Sequence, residues 1–346
     1  MLLPHLGNCM NFKIIISLSL IITLSLLSGC MGSKSSNRSD FTEHALDISL
    51  SKDGQQVLIS HSKGFVDLHR LDFKKNKKLA SWAHQDTDAA GIIASDFSLD
   101  KEFIVTTEQK TIARYSQTAN KVVNFWSLND IKDVVMSPKG DFALVASAEK
   151  KPPTANIAEG YLNYRIVYFH LPYGGIKYAF YHDDVITTIA LSDDGRYAIS
   201  GSDDYKARLW DLESGELKYT WKHKSKVVRV QLSPDGRYAM TNNAGGDIKI
   251  YKTKNGKLYR KLKLPRASVS AAAFSPKAKY LATGLSREEL IVWHLKSGKI
   301  MNKWRPARRY FWQSSLARIT SLAFPSKRTV ISITSRGIAQ KWKVGK

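Results

Sequence analysis

The chain has 346 residues, of which 43% are hydrophobic and 24% are charged, and its formal net charge is +23. This length and composition are ordinary for a globular protein and allow a sizeable buried core. The two cysteines, Cys9 and Cys30, exclude a scaffold held together by several disulfides. The charge is the unusual quantity.

The first segment of interest is an apolar run near the start. Lys13 is followed by fourteen uncharged residues, 14–27, and then by Ser28, Gly29 and Cys30. A basic residue before an apolar run of this length is typical of a signal peptide. The run is shorter than the roughly 18–20 residues that would span a bilayer. An ordinary secretory signal and a short N-terminal anchor helix remain alternatives.

The sequence Leu27-Ser28-Gly29-Cys30 resembles the lipobox of bacterial lipoproteins. This resemblance implies cleavage before Cys30 and lipid on its sulfur, so that residues 1–29 are the signal peptide and 30–42 a lipidated tether. It also implies a membrane-anchored, extracytoplasmic protein. In lipoproteins of enteric bacteria, an aspartate after the lipidated cysteine is the signal for retention in the inner membrane. Residue 31 is a methionine, so the resemblance implies the outer membrane, facing the periplasm, in a double-membraned cell. Translation starts at Met1 or Met10.

Seven segments after the tether share an alternating apolar strand that ends in Ser-x-Asp-Gly or a variant of it. The steps between successive copies are 39 to 55 residues. Such a period is typical of repeat architectures. The copies are centred on Ser51, Ser98, Ser137, Ser192, Ser233, Ser275 and Pro325.

The clearest copy spans residues 182–222. Its apolar patterns predict strands at 185–191, 197–202, 207–211 and 217–221, separated by turns rich in Gly, Asp and Ser. The pair Asp194-Gly195 supplies the backbone angles that a tight hairpin needs. Four short strands in succession predict an antiparallel four-stranded blade.

These copies resemble WD40 repeats, and residues 43–346 are therefore predicted to form an all-β, seven-bladed WD40-type β-propeller. The resemblance implies a structural hydrogen-bonded tetrad made of His182, Ser200 or Ser202, Asp204 and Trp210. Such a relay fastens a blade, so we expect no catalytic residue among its members. His223 occupies the same position in the next repeat, but Gly245 replaces the acidic residue there.

Two further expectations concern how blades pack and how the ring closes. Aromatic residues recur eleven positions after strand c, and we expect them to pack between blades: Trp126, Phe180, Trp221 and Trp304. The last repeat has no fourth strand after Trp342, and members of the family usually take it from the N-terminus. Residues 34–44 would supply it here. The alternatives are an open ring or a fused disc of six and a half blades.

Long insertions indicate where a partner could bind. In WD40 propellers the loops after strands b and d open on one face, the top. The extra residues of this chain map to those loops: 149–164 follow strand b of the third repeat, and 305–312 follow strand d of the sixth. Loops on a rigid scaffold often carry binding residues, and Arg, Tyr and Trp are common in interface hot spots. The candidate binding residues are Arg305, Arg308, Arg309, Tyr310, Phe311, Trp312 and Tyr161. Alternatively, the aromatic residues plug the channel or cover a blade edge.

A second cluster of basic residues lies in the fifth repeat, between Lys252 and Arg266. It predicts a surface that attracts anions such as lipid headgroups or wall polymers. Export makes nucleic acid the less expected partner, and a dispersed, solvated surface is the alternative.

Signatures of an enzyme are otherwise absent from the sequence. The histidines lack metal-ligand spacing, no phosphate-binding loop is present, and no acidic residues are evident around the expected channel. The sequence therefore predicts a scaffold without metal or cofactor that binds an envelope protein or peptide. The alternative is a propeller hydrolase or polysaccharide-binding module acting on cell-wall polymer.

Overall fold

The computed structural model describes residues 37–41, 45–73, 75–84, 91–150, 162–264, 267–307 and 317–345. These residues form 28 strands, arranged as seven antiparallel sheets of four strands each. Each sheet is one blade, and the blades form a closed ring. The predicted all-β, seven-bladed propeller is confirmed. No helix in the described part of the chain is long and apolar enough to cross a membrane.

The strands of each blade are lettered a to d from the innermost to the outermost. Blade 1 contains β2 (Ala45–Leu50), β3 (Gln56–His61), β4 (Phe65–Arg70) and β5 (Lys77–Ala83). Blade 2 contains β6 (Ala94–Phe97), β7 (Phe103–Thr107), β8 (Thr111–Ser116) and β9 (Lys121–Ser127). Blade 3 contains β10 (Ile131–Met136), β11 (Phe142–Lys150), β12 (Leu162–His170) and β13 (Ile176–His182). Blade 4 contains β14 (Ile186–Leu191), β15 (Tyr197–Ser202), β16 (Lys206–Asp211) and β17 (Glu216–Lys222).

Blades 5 to 7 complete the ring. Blade 5 contains β18 (Val227–Leu232), β19 (Tyr238–Asn243), β20 (Asp247–Lys252) and β21 (Leu258–Lys263). Blade 6 contains β22 (Val269–Phe274), β23 (Tyr280–Leu285), β24 (Leu290–His294) and β25 (Ile300–Trp304). Blade 7 contains β26 (Ile319–Ser326), β27 (Thr329–Thr334), β28 (Ile338–Lys343) and, as its outer strand, β1 (Asn37–Asp40).

The outer strand of blade 7 thus comes from the other end of the chain. β1 runs antiparallel to β28, with Asn37 opposite Lys341 and Asp40 opposite Ile338. Phe41, directly after it, is buried in a cluster that joins blade 7 to blade 1 and packs edge-on against His69. Residues ahead of position 43 are therefore part of the propeller, which forms one compact unit over Ser35–Lys346.

The hairpin between strands a and b has the same construction in successive repeats. In blade 4, the Ser192 hydroxyl donates to Asp194 and accepts from the Tyr197 amide at 3.0 Å. Gly195 follows with φ of +72°, the left-handed region that glycine enters without steric cost. Lys101 and Ala278 hold this position in blades 2 and 6, also with positive φ. The degenerate repeats therefore keep the turn without its glycine.

Aromatic rings join neighbouring blades, as predicted. Phe180 of blade 3 stacks on Trp210 of blade 4 with ring centroids 4.5 Å apart, and Trp221 of blade 4 stacks on Tyr251 of blade 5 at 4.3 Å. Such pairs add to the burial of apolar area that holds the blades together. Trp82 stacks in the same way on Tyr115 and Trp304 on Trp342, whereas Trp126 meets Phe169 edge-on.

The insertion in the third repeat partly extends its strands. Glu149, Asn163 and Tyr164, expected in a loop, lie in β11 and β12, which have nine residues each. Glu149 pairs with Arg165 at 2.5 Å on the extended ladder. Residues 151–161, including the candidate Tyr161, lie outside the described part of the chain.

Candidate functional site

The tetrad of blade 4 is a continuous chain of hydrogen bonds. The Trp210 indole N–H donates to Ser200 Oγ at 3.0 Å, Ser200 bonds His182 Nε2 at 2.7 Å, and His182 Nδ1 bonds Asp204 at 2.9 Å. Since the indole can only donate and the carboxylate can only accept, a neutral imidazole donates from Nδ1 to Asp204 and accepts at Nε2 from the Ser200 hydroxyl. The relay ties the end of strand d of blade 3 to strand b, the b–c turn and strand c of blade 4.

Of the two candidate serines, Ser200 belongs to the relay and Ser202 does not. The Ser202 hydroxyl donates to the Asp184 carbonyl at 2.9 Å and accepts from the Asp204 amide at 3.0 Å. It therefore orders the adjacent top loop. Ser200 has no exposed surface, so a substrate carbonyl cannot approach its hydroxyl.

Burial and pairing set the protonation states of the relay. Burial lowers the pKa of His182, an effect that the Asp204 carboxylate opposes. The pKa of Asp204 falls to about 2, because its bonds to His182 and to two backbone amides outweigh its burial. A neutral imidazole between a hydroxyl and a carboxylate is thus the stable arrangement at neutral pH.

Blade 2 contains a related relay that the sequence analysis missed. His84 Nε2 bonds Thr106 Oγ1 at 2.7 Å, and Nδ1 bonds Thr111 Oγ1 at 3.1 Å, which in turn donates to Glu108 at 3.0 Å. Burial lowers the pKa of His84 to about 4. The missed signal was an aromatic residue two positions before the histidine, a pattern shared by 82–84, 180–182 and 221–223.

In blade 5 the corresponding side chains do not form a relay. Neither ring nitrogen of His223, nor the Thr241 hydroxyl in the position of Ser200, has a hydrogen-bond partner among the described residues. Gly245 stands where Asp204 stands in blade 4. Burial and the nearby Lys249 lower the pKa of His223 to about 4.

Polar side chains link all seven innermost strands around the central channel. Each strand a is the inner edge of its sheet, so the amides and carbonyls on its free edge have no strand partner. Side chains of neighbouring blades form hydrogen bonds with several of these groups; Asp133, for example, accepts the Ile189 amide at 3.2 Å. The seven linked pairs are Asp47–Ser95, Asp96–Met136, Asp133–Ile189, Thr187–Val227, Arg229–Ser270, Ser270–Ile319 and Ser321–Leu50.

The expectation of no acidic residues around the channel was wrong. Asp47, Asp96 and Asp133 lie on the innermost strands of blades 1, 2 and 3. Burial raises the pKa of Asp96 to about 6 and of Asp133 to about 7, the latter despite the nearby Arg229. The sequence concealed them because each is a single acidic residue within an apolar strand. Asp96 and Asp133 accept backbone amides of the next blade and Asp47 accepts the Ser95 hydroxyl, so all three carboxyl groups link neighbouring blades.

On the top face, the long loop after strand d of blade 6 is fixed at both ends. The Ala307 amide donates to Gln340 Oε1 at 2.6 Å, and the Ala317 amide donates to Glu288 Oε1 at 2.8 Å. Gln340 and Glu288 are 2% and 5% exposed. Two buried polar side chains on blades 7 and 6 therefore set where this loop leaves and rejoins the propeller.

The structure places one of the predicted binding residues, Arg305, at the start of this loop. Its side chain is exposed and lies 3.4 Å from Glu289. A cleft of about 530 Å³ runs beside it between blades 5 and 6, lined by Leu285, Arg287 and Trp293 among others. The remaining candidates lie outside the described residues: Arg308, Arg309, Tyr310, Phe311, Trp312, Tyr161 and the lipidation candidate Cys30.

Comparison with known families agrees with this architecture. The profile of the WD40 family (WD domain, G-beta repeat) matches residues 176–211. That stretch comprises β13 to β16, the outer strand of blade 3 and the first three strands of blade 4. No curated protein matches the chain. Within the described residues, no group of three His, Cys, Asp or Glu side chains could hold a metal ion. The fold is that of a WD40-type propeller, which typically serves as a protein-interaction scaffold.

Proposed function

We propose that this protein is a lipid-anchored scaffold of the bacterial cell envelope that binds a protein or peptide on its top face. The lipobox-like sequence 27–30 supports an anchor on Cys30 and a location outside the cytoplasm. The WD40-type propeller supports the role in protein binding. The proposal includes no catalytic step, metal or cofactor.

The observation that carries the binding proposal is the loop between Arg305 and Ala317. Its two ends, at Ala307 and Ala317, are held to the propeller by buried Gln340 and Glu288. Its sequence contains Arg308, Arg309 and the aromatic run 310–312. Loops on a rigid scaffold that carry Arg and Trp are typical of binding sites.

Site-specific photo-crosslinking in native membranes tests the partner site. Crosslinkers at Arg287 and Arg305, which flank the cleft, should trap the same protein, whereas one at Lys296 on the opposite face should not. The double variant Arg308→Glu/Trp312→Ala should lose that adduct, and Lys296→Glu should keep it. An adduct that persists in the double variant would place the binding site elsewhere.

The lipid anchor has its own test, with the second cysteine as control. Cells labelled with an alkyne fatty acid should give a labelled protein. The label should disappear in Cys30→Ala and remain in Cys9→Ala, since Cys9 precedes the cleavage site. Unlabelled wild-type protein, or label retained in Cys30→Ala, would contradict acylation at Cys30.

A hydrolase or polysaccharide-binding module is the second candidate, and the channel carboxylates are what favour it. Asp133, with a pKa raised to about 7, is the third residue of β10 and lies near the end that starts on the top face. A group that titrates near neutral pH suits general acid–base catalysis. Turnover of wall-polymer fragments by the wild type, lost in Asp133→Asn, would favour this candidate over the scaffold.

A further inference from the structure

The first strand of the chain, β1, begins at the bottom face of the propeller. Strands a and c run from the top face to the bottom face, and strands b and d run back. β1 takes the place of strand d in blade 7, so Asn37 is at its bottom end. The N-terminal strand therefore enters the propeller at the bottom face of blade 7.

The bottom face of blades 5 to 7 is strongly basic. Its turns carry eleven exposed Lys and Arg side chains: Arg237 in the first turn of blade 5, and ten more at residues 252–257, 277–279, 296–299, 327–328 and 343. None of the ten has an ion-pair partner within the described residues. Asp235 is the one acidic residue in these turns, and Arg237 pairs with it at 2.6 Å. Ten uncompensated cations on one face create a positive potential that attracts an anionic surface.

Exposed aliphatic side chains lie on the rim of the same face. Blades 5 and 6 each have one at the start of the outer strand, and blades 3 and 4 have one in the equivalent position of the ladder. Their exposed fractions are 45% for Ile176, 49% for Leu217, 54% for Leu258 and 50% for Ile300. Lysine is the sequence neighbour of each one: Lys177, Lys218, Lys257 and Lys299. Alternating aliphatic and basic side chains are suited to the boundary between lipid headgroups and acyl chains.

A polar cleft of about 420 Å³ opens on this face between blades 4 and 5. Four basic side chains line it, two from each blade: Arg196 and Lys218, and Arg237 and Lys254. Asp194 and Asp235 also line it and offset two of these charges, so the lining keeps a net positive charge that a phosphate-bearing headgroup would neutralise. A soluble anionic polymer would satisfy the cations equally well, but it would leave the aliphatic rim in water.

We infer that the bottom face of blades 5 to 7 rests on an anionic lipid surface, with the lysine-rich turns at the headgroups and the aliphatic rim at their base. The top face, with its anchored loop, then points away from the membrane toward a partner. This inference extends the proposed scaffold, yet it does not require acylation of Cys30, because the surface belongs to the propeller itself.

Vesicle binding by the propeller alone tests the inference. Residues 35–346 form one compact unit with four strands in every blade, and this fragment lacks Cys30. It should sediment with phosphatidylcholine vesicles that contain about 30% phosphatidylglycerol but not with pure phosphatidylcholine. The binding should weaken as salt rises from about 0.05 to 0.5 M. Equal binding to both kinds of vesicle would overturn the inference.

A matched pair of triple variants locates the surface. Lys254→Glu/Lys299→Glu/Lys327→Glu takes one lysine from the bottom of each of blades 5 to 7 and should weaken partitioning at least about 100-fold. Lys63→Glu/Lys110→Glu/Lys224→Glu makes the same charge change with exposed lysines of the top face and should weaken it less than about 5-fold. Melting curves confirm that both variants are folded. Equal losses in the two variants would contradict a specific face.

The aliphatic rim distinguishes a lipid surface from a soluble polymer. Leu258→Ser/Ile300→Ser should weaken vesicle binding about 10-fold, because less apolar area enters the interface. Its affinity for soluble polyphosphate should not change. If polyphosphate competes fully with vesicles and the double variant binds vesicles as the wild type does, the surface binds anionic polymers and the lipid inference is wrong.

Discussion

Blades 4 and 5 are neighbours with the same strand order, but they differ in their buried hydrogen bonds and in their charge. Blade 4 has a complete relay, and residues 183–223 contain nine acidic and five basic side chains. Blade 5 has no relay, and residues 224–264 contain two acidic and eleven basic side chains. Both nevertheless form four-stranded blades, joined by the stack of Trp221 on Tyr251. Apolar packing, including this stack, therefore holds blade 5 in the fold without a relay, and the relay of blade 4 is an additional link.

Replacing the histidine should have a large effect on stability in blade 4 and a small one in blade 5, and this is the largest difference that we expect. His182→Leu leaves the Asp204 carboxylate, 4% exposed, without its main partner. We expect the free energy of unfolding at pH 7.5 to fall by about 2–4 kcal/mol, measured by urea denaturation. His223→Leu removes two nitrogens that already lack partners, and it should change stability by less than about 1 kcal/mol. Equal losses would mean that His223 has a partner we have not identified.

Acid should destabilise blade 5 through the same histidine. The pKa of His223 is about 4 when folded and that of an unfolded histidine is about 6.5, so the unfolded chain binds more protons between these values. Stability contributed by the neutral ring is present above pH 6.5 and is lost as the pH falls toward 4. The free energy of unfolding of His223→Leu minus that of the wild type should be about 2 kcal/mol larger at pH 5 than at pH 7.5. Urea titrations at both pH values measure this increase, and its absence would contradict the lowered pKa.

Restoring the acidic residue in blade 5 should have a smaller effect. A Cβ at Gly245 would lie 3.6 Å from its nearest neighbours, and the backbone there is outside the left-handed region, so an aspartate can be accommodated. Gly245→Asp should raise the pKa of His223 and stabilise the protein by about 1 kcal/mol. The pKa is measured from the imidazole resonances by NMR. An unchanged His223 pKa would show that the carboxylate does not reach the ring.

The smallest effect concerns lysines that face each other in blade 5. Lys249 lies directly opposite Lys261 on the neighbouring strand, whereas the equivalent Arg208 of blade 4 lies 3.3 Å from Asp183. Lys249→Gln should therefore stabilise, and Arg208→Gln should destabilise, each by about 0.5 kcal/mol. Both changes should shrink in high salt. Changes of the same sign in the two variants would contradict the charge argument.

The sequence predicted most of the fold because the repeat determines it locally. In blade 4 the predicted strand limits lie within one residue of the observed ones, since turns rich in Gly, Asp and Ser bound each strand. In blade 3 both ends of the predicted insertion belong to β11 and β12, because a strand can continue into an insertion without a change in composition. The pairing of β1 with β28 joins residues about 300 positions apart, and no local pattern fixes its register.

Site features were harder to predict because they depend on contacts between blades. The link from Asp133 to the Ile189 amide joins residues 56 positions apart and has no sequence motif. The relay of His84 uses threonines and a glutamate in place of the usual serine and aspartate, so it does not match the family pattern. The basic bottom face arises only when the turns of three blades lie side by side.

Crosslinking from opposite faces in native membranes tests the central claim most directly. A photo-crosslinker at Arg305 samples the top face, and one at Lys327 samples the bottom turn of blade 7 beside the entry of β1. We predict a defined protein adduct from residue 305 and lipid adducts from residue 327. Lipid adducts from residue 305 together with a protein adduct from residue 327 would contradict the account, because the propeller would then present its other face to the membrane.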